Sequence, residues 1–260
     1  MTFLCLDDRE EIEQFLRRNV YLYIYCIGDL DDFFWPYTTW YGLNTGGYID
    51  AVALLYEGKS PPTLVALSDE CDVMKELVGS IRHLLPERFH AHLSPRVEAV
   101  LLDDYDLDPH GEHYKMALRD KTAISKYDCS GVVSLSRADL DDIETFYEQS
   151  YPGNWFDGRM LETGQYFGVR KDTALISVAG VHVHSAKYKV AALGNIATLP
   201  SYRGKGYAKR VTAKLCKSLS RQVSHIGLNV KSDNIPALSC YEKLGFEKVA
   251  TYAEFNVQRK

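Results

Sequence analysis

The sequence predicts a two-domain α/β protein, each half a mixed sheet with helices packed on it. The length of 260 residues exceeds one ordinary compact unit of roughly 100 to 200 residues. β-rich runs alternate with amphipathic helical stretches, as in layered α/β architectures. One order of elements also recurs in both halves. A content of 46% hydrophobic and 25% charged residues supplies cores and excludes wholesale disorder.

In the second half, residues 131–135 read as a strand and 138–149 as a helix with Ile143 and Phe146 on one side. A loop of aromatics, Tyr151, Trp155 and Phe156 around Pro152 and Gly153, leads to a short helix at 157–163 and a strand at 166–170. Residues 175–184 and 189–199 form a β-hairpin. Next, 207–222 is a helix, with Ala208, Val211, Leu215 and Leu219 at helical spacing and Lys209, Arg210, Lys214 and Lys217 on its other faces. A strand at 226–230 precedes a helix at 237–244, which Pro236 opens and Gly245 stops. Residues 246–257 close the chain as β structure. The order is β-α-α-β-β-β-α-β-α-β.

The first half repeats it. Strands are expected at 3–6, 38–43, 48–56, 63–67, 88–93 and 113–118, and helices at 7–18, 22–30, 73–85 and 96–102. The expected join lies near 119–130, giving domains of 1–125 and 126–260.

Composition narrows the function. No apolar run approaches the roughly 20 residues needed to span a bilayer, and Asp7, Asp8, Glu10 and Glu11 stand where a signal peptide would be basic. The expectation is a cytoplasmic protein without a membrane partner. Cys5, Cys26, Cys71, Cys129, Cys216 and Cys240 are scattered, with no C-x-x-C pair or zinc spacing, so reduced thiols and no metal are expected. The net charge of −5 argues against nucleic acid as a partner. It hides an asymmetry: residues 1–125 hold 22 acids and 11 bases, whereas 126–260 hold 13 acids and 19 bases. An anionic ligand is expected in the second half.

Two passages carry chemistry. From Asn195 through Ala208 a strand end runs through Arg203-Gly204-Lys205-Gly206 into a basic helix. Glycines allow a tight turn to aim backbone N–H groups inward, and the new helix adds its positive end, so the turn suits a pyrophosphate. From Pro200 through Arg221 there are seven basic residues and no acid. It is not a Walker loop, and it does not follow a first strand as a dinucleotide fold requires. In the second passage, Asn234 to Tyr241 spans about two helical turns, which aligns the phenol with the helix entrance. A cap Asn and a core Tyr would read the same way.

Together these passages resemble the GNAT superfamily of acyl-CoA N-acyltransferases. Arg203-Gly204-Lys205-Gly206-Tyr207-Ala208 meets Q/R-x-x-G-x-G/A, and Asn234, Ala237, Tyr241, Gly245 and Phe246 meet N-x-x-A-x-x-x-Y-x-x-x-G-F. The resemblance covers about residues 130–260 and implies that superfamily's fold, in two tandem copies, the first degenerate. It implies acetyl-CoA as cosubstrate, with backbone N–H groups of Arg203, Gly204, Lys205, Gly206, Tyr207 and Ala208 on its pyrophosphate. Ile196, Ala197 and Thr198 would pair with its pantetheine arm like an added strand. Asn234 would contact that arm, and Tyr241 would protonate the departing thiolate, whose thiol has an ordinary pKa of about 8.5. The acceptor would be a small-molecule or peptide amine, attacking directly in a ternary complex.

The general base departs from the pattern. Where several superfamily members carry a Glu, about eleven residues before the motif, this chain has Ala192. His182 and His184 alternate on the preceding strand and are the candidate bases, with Glu162 and Tyr151 behind them. Cys240, beside Tyr241, offers a covalent route only if a neighbour activates its thiol. The Ala192 departure also supports an alternative, a CoA-binding sensor or scaffold without transfer. In the first half the counterpart turn, Leu67 to Val73, carries Asp69, Glu70 and Asp72 and no glycine. Those carboxylates would repel a diphosphate, so the first half is expected not to bind CoA and instead to restrict the acceptor cleft.

Overall fold

The computed structural model describes residues 2–44 and 46–260. Two compact units form: the first from Met1–Lys115, Val230–Asp233 and Val249–Lys260, the second from Met116–Asn229 and Asn234–Lys248. The chain begins with β1 (Thr2–Leu6), α1 (Arg9–Leu16), α2 (Ile24–Asp29), β2 (Thr38–Asn44), β3 (Ile49–Tyr56), β4 (Thr63–Ala66), α3 (Cys71–Ile81), β5 (Arg88–Leu93) and β6 (Tyr105–Leu118). It continues with β7 (Val132–Leu135), α4 (Leu140–Ser150), β8 (Tyr166–Lys171), β9 (Ala174–Ser185), β10 (Val190–Thr198), α5 (Tyr207–Leu219), β11 (His225–Lys231), α6 (Ile235–Lys243) and β12 (Phe246–Arg259).

The first unit orders its strands β1-β2-β3-β4-β5-β12, and the second β7-β8-β9-β10-β11. Neighbours are antiparallel except β4–β5 and β10–β11, which are parallel. Each parallel pair is joined by a crossover helix, α3 or α5, because parallel strands cannot be linked by a tight turn. Both helices earn their place by periodicity. Met74, Leu77, Val78 and Ile81 are the buried stripe of α3, and Val211, Leu215 and Leu219 lie on that of α5. Each such side chain contributes about 1.5 to 3 kcal/mol by leaving water.

The expected element order holds, with two substitutions of helix type. The short helix expected at 157–163 is a 3-10 turn, Gly158–Thr163. That expected at 96–102 is another, Val97–Val100, entered through Arg96 at φ 73°, a left-handed start that cannot continue an α-helix backward. β6 starts at Tyr105, well before the expected 113, despite Pro109. The final strand completes the first unit, lying between β5 and β6 in the sheet order, with Ala253 through Gln258 antiparallel to Leu93 through Arg88 of β5.

In the first unit the gap after β4 is closed. All of β4 pairs with β5, from Thr63↔His90 to Ala66↔Leu93. The seam then continues: Ser94 N–H donates to the Ala66 carbonyl at 3.1 Å, and Ser94 Oγ accepts from Ser68 N–H at 2.9 Å and donates to Ser68 O at 3.1 Å.

This unit also buries titratable groups. Asp29, at the end of α2, is 8% exposed, Cys26 4% and Lys115 2%. Lys115 Nζ lies 4.9 Å from the Tyr25 ring centre and 5.3 Å from that of Tyr252. Glu254 accepts from the Tyr252 hydroxyl at 2.7 Å, with His92 Nε2 at 3.4 Å and His113 Nε2 at 3.5 Å from its two oxygens. Burial pushes the Asp29 carboxyl up to about 8, the Cys26 thiol up to about 12 and the Lys115 ammonium down to about 8.

Asp29 therefore carries a stability cost with a defined pH window. Between its ordinary value of 3.8 and about 8, the unfolded chain is ionised here while the native state holds its proton. Stability falls as pH rises through that window, and the loss is complete above it. Asp29→Asn keeps the shape and removes the penalty. Its melting temperature should match the wild type near pH 4 and exceed it by about 5 °C or more at pH 8; a constant gap across that range would refute the assignment.

Candidate functional site

The second unit holds the glycine turn, and its geometry begins with the parting of two strands. β10 pairs in parallel with β11 only from Val190↔His225 to Leu193↔Leu228. Beyond Leu193, β10 runs on along β9 alone, through Gly194↔Gly180, Ala197↔Val178 and Thr198↔Ser177. The register shifts between Gly194 and Ala197, so Asn195 and Ile196 form a bulge. Asn195 adopts φ 54°, the left-handed conformation that Asn tolerates better than most residues.

Side chains of the same unit hold this bulge. The Tyr147 hydroxyl, on α4, donates to the Asn195 carbonyl at 2.6 Å. Asn195 Nδ2 donates to the Tyr166 hydroxyl at 2.9 Å, and that hydroxyl donates to the Val181 carbonyl at 3.0 Å. Tyr147, Asn195 and Tyr166 are 3%, 4% and 0% exposed, and burial pushes both phenols far above their ordinary range, so they act as neutral donors. Ser177 Oγ donates to Ala197 O at 3.1 Å and lies 2.8 Å from Thr198 Oγ1.

After Thr198 a 3-10 turn, Pro200–Tyr202, leads into the glycines. Gly204 and Gly206 sit at φ 75° and 84°, and a Cβ at either would meet open space. Glycine is needed for the backbone conformation, and the space is where a ligand would lie. α5 begins at Tyr207 with no side chain capping its first turn, which leaves that turn's N–H groups without a side-chain acceptor. The basic side chains are largely engaged elsewhere. Arg203 donates to Thr198 O at 3.1 Å and Ser150 O at 3.2 Å, Lys205 to Ser201 O at 3.1 Å, Lys217 to Tyr127 O at 2.8 Å, and Arg210 to Ser130 O. They shape the loop and its field, and the turn's backbone presents the donors.

Tyr241 is 8% exposed on α6, its ring 6.0 Å from Phe246. Asn234 caps α6, its Oδ1 accepting from Ala237 N–H at 3.2 Å. Burial pushes the Cys240 thiol up to about 11, with Lys209 and Lys243 opposing, so the nucleophilic thiolate is disfavoured. Of the two histidines, His182 packs across Gly194, where a Cβ would fall 1.9 Å from its ring. Trp155 meets that ring edge-on at 5.9 Å. His184 pairs with Ala191, further down the strand from the bulge.

The aromatic loop divides. Tyr166 is core, Phe156 meets Tyr147 tilted at 5.2 Å and Tyr166 edge-on at 5.7 Å, and Tyr151 is 51% exposed. Its carboxylates are spoken for: Asp157 takes Arg159 at 2.6 Å and 2.9 Å, and Glu162 takes Arg137 at 2.6 Å. Sequence reasoning passed over Tyr147, although its i+4 spacing from Ile143 placed it on the buried face, where a hydroxyl needs a partner. Among the described residues no group of three or more His, Cys, Asp or Glu is placed to hold a metal, and no helix is long and apolar enough to cross a membrane.

Residues 129–246 match the sequence model of the acetyltransferase (GNAT) family. An uncharacterized protein of Mycobacterium leprae (strain TN) is 29% identical over 127 residues, which is 45% of this chain and 34% of that protein. The fold is shared more widely. A Drosophila protein superposes with a TM-score of 0.72 at 12% identity, over 98% of both chains. An acetyltransferase from the GNAT family of Colwellia psychrerythraea gives 0.58 at 14% identity, over 99% of this chain and 100% of that one. A tandem GNAT protein from the clavulanic acid biosynthesis pathway gives 0.57 at 14%, over 99% and 98%.

Replacing Gly194 by Ala tests the packing that sets His182. The ring must swing away from the new methyl group, at a cost of about 1 to 3 kcal/mol. We expect a melting temperature several degrees lower and a shifted His182 imidazole resonance; an unmoved resonance would show that the ring does not rest on this glycine.

Proposed function

We propose that residues 129–246, which match the sequence model of the acetyltransferase (GNAT) family, form a domain of that family, and that the protein transfers an acetyl group from acetyl-CoA to an amine in a ternary complex. The observation that carries this reading is the open edge of β10 beyond Leu193, running directly into a glycine turn and an uncapped helix start. These features fit the carrier. Backbone N–H groups from Arg203 to Ala208 would hold its pyrophosphate, and Gly204 and Gly206 leave room for it. The edge at Ile196, Ala197 and Thr198 would pair with the pantetheine arm, in the manner of an added strand. Asn234, its oxygen engaged in the cap, would meet the arm through its amide nitrogen.

The acetyl thioester supplies an activated acyl group. Tyr241 would give the departing sulfur its proton, the amine having attacked the thioester carbon directly. His182 is the base we favour, because Gly194 and Trp155 fix its ring beside the bulge, whereas His184 lies a pleat away. Cys240, held as a thiol, takes no part. The unit beginning the chain, 1–125 in the proposed division, would not bind CoA: its corresponding turn carries Asp69, Glu70 and Asp72, and Asp69 is tied to Asn19 Nδ2 at 2.8 Å. The acceptor, small molecule or peptide, would enter by the Trp155 and His182 side. A second reading, a CoA sensor without transfer, is favoured by Ala192, fully buried where a basic carboxylate would be useful. Normal acetyl-CoA binding with no acetylation across a broad amine panel would select it.

Calorimetry with acetyl-CoA is the direct test. The wild type should bind and Gly206→Asp should not, since it brings a charge and a strained φ to the pyrophosphate site; an unaltered affinity in this variant would end the loop assignment. Tyr241→Phe should lower kcat by about 10- to 100-fold with little change in KM for acetyl-CoA. An equal kcat would remove Tyr241 as the acid.

A further inference from the structure

The open edge of β10 is narrower than its length suggests. Two of the carbonyls beyond Leu193 are already taken by side chains of the same unit, Asn195 by Tyr147 and Thr198 by Arg203, while Ala197, paired with Val178, turns its carbonyl toward β9, where Ser177 Oγ also donates to it. Ile196 has a registered partner in neither β9 nor β11. The bulge that sets this pattern is enforced by a buried chain of hydrogen bonds from Tyr147 through Asn195 to Tyr166 and Val181, spanning α4, β10, β8 and β9.

We propose that Tyr147 and Tyr166 are positioning residues that fix the register of the carrier on β10, by holding the Asn195 bulge so that the pantetheine arm pairs at Ile196. This rests on the reading of the site as an acetyl-CoA site. The physical basis is the two-residue period of a strand. If the bulge relaxed by one residue, every side chain beyond it would change face, and Thr198 would leave Ser177. The Tyr147 hydroxyl prevents this by capturing the Asn195 carbonyl while that residue is left-handed. Tyr166 captures the side chain of the same residue, so backbone and side chain are clamped from opposite elements. Neither phenol needs to touch the carrier. Both are buried, and their effect passes through the backbone of Asn195.

The clamp acts on the pantetheine arm alone, so two ligands separate it from a general loss of structure. ADP carries the diphosphate without the arm. Tyr147→Phe and Tyr166→Phe each remove a hydroxyl and little volume; Asn195→Gly keeps the left-handed backbone and drops the amide. We expect each variant to weaken acetyl-CoA binding about tenfold by calorimetry, the worth of one or two hydrogen bonds, while ADP binding stays within twofold. Amide hydrogen exchange at residues 194–197 should quicken in all three. If folded variants bind acetyl-CoA as the wild type does, or lose both ligands equally, the positioning role is overturned. If the wild type binds no acetyl-CoA, the site reading fails instead, and unchanged exchange at 194–197 would then overturn the clamp independently.

Discussion

The second unit depends on one constraint: β10 pairs with β11 for four residues and then must not. A strand left with an open edge inside a protein is costly, because its backbone groups need partners. This chain meets the cost with side chains. Tyr147 and Arg203 take the carbonyls of Asn195 and Thr198, and Ser177 of β9 adds a bond to that of Ala197. The left-handed turn at Asn195 costs about 1 kcal/mol or more for a residue with a Cβ, and Asn is among the residues that bear it best. Each buried hydrogen bond returns about 0.5 to 1.5 kcal/mol, so two bonds to that residue offset the strain. The opening is therefore a stable feature of the unit, and the glycine turn begins where it ends.

The electrostatics follow a similar division of labour. The second half of the sequence is basic, and an obvious reading gives its lysines and arginines to an anion. In the structure Arg203, Lys205, Arg210 and Lys217 donate to backbone carbonyls, and Lys214 lies over the Phe167 ring at 5.9 Å. Their charges remain and raise the local potential. In the proposed site the donors for a diphosphate are backbone N–H groups, in a turn whose conformation Gly204 and Gly206 permit. The sequence already placed backbone N–H groups in this turn through its glycines; that the neighbouring basic side chains spend their hydrogen bonds on carbonyls could not be read from it.

That difference shows what was legible. Signals local in sequence survived: the periodicity of α3 and α5, the Pro and Gly bounding α6, and the two glycines of the turn all depend on residues within a few positions of one another. Signals requiring distant partners did not. Tyr147 and Asn195 are 48 residues apart, and nothing in either neighbourhood announces the bond. The pairing of Glu254 with His92 across β12 and β5 joins residues with more than half of the chain between them. The helix expected at 96–102 failed for a local reason that only the backbone reveals, the left-handed entry at Arg96. His182 and His184 look equivalent in sequence; they differ because only one faces a glycine.

The first unit shows what happens when the same architecture closes its gap. There β4 is zipped to β5 along all four residues, and Ser94 extends the seam by bonding both to Ala66 and, twice, to Ser68. In the second unit β10 runs five residues past its last partner in β11. An added strand needs free backbone donors and acceptors, and the first unit has given its own to a serine hydroxyl. Its turn is acidic as well, so even a reopened seam would present carboxylates to a diphosphate. Two independent changes, one in hydrogen bonding and one in charge, thus argue against carrier binding there. Either alone would weaken such binding, in a unit that keeps the strand order and the crossover helix.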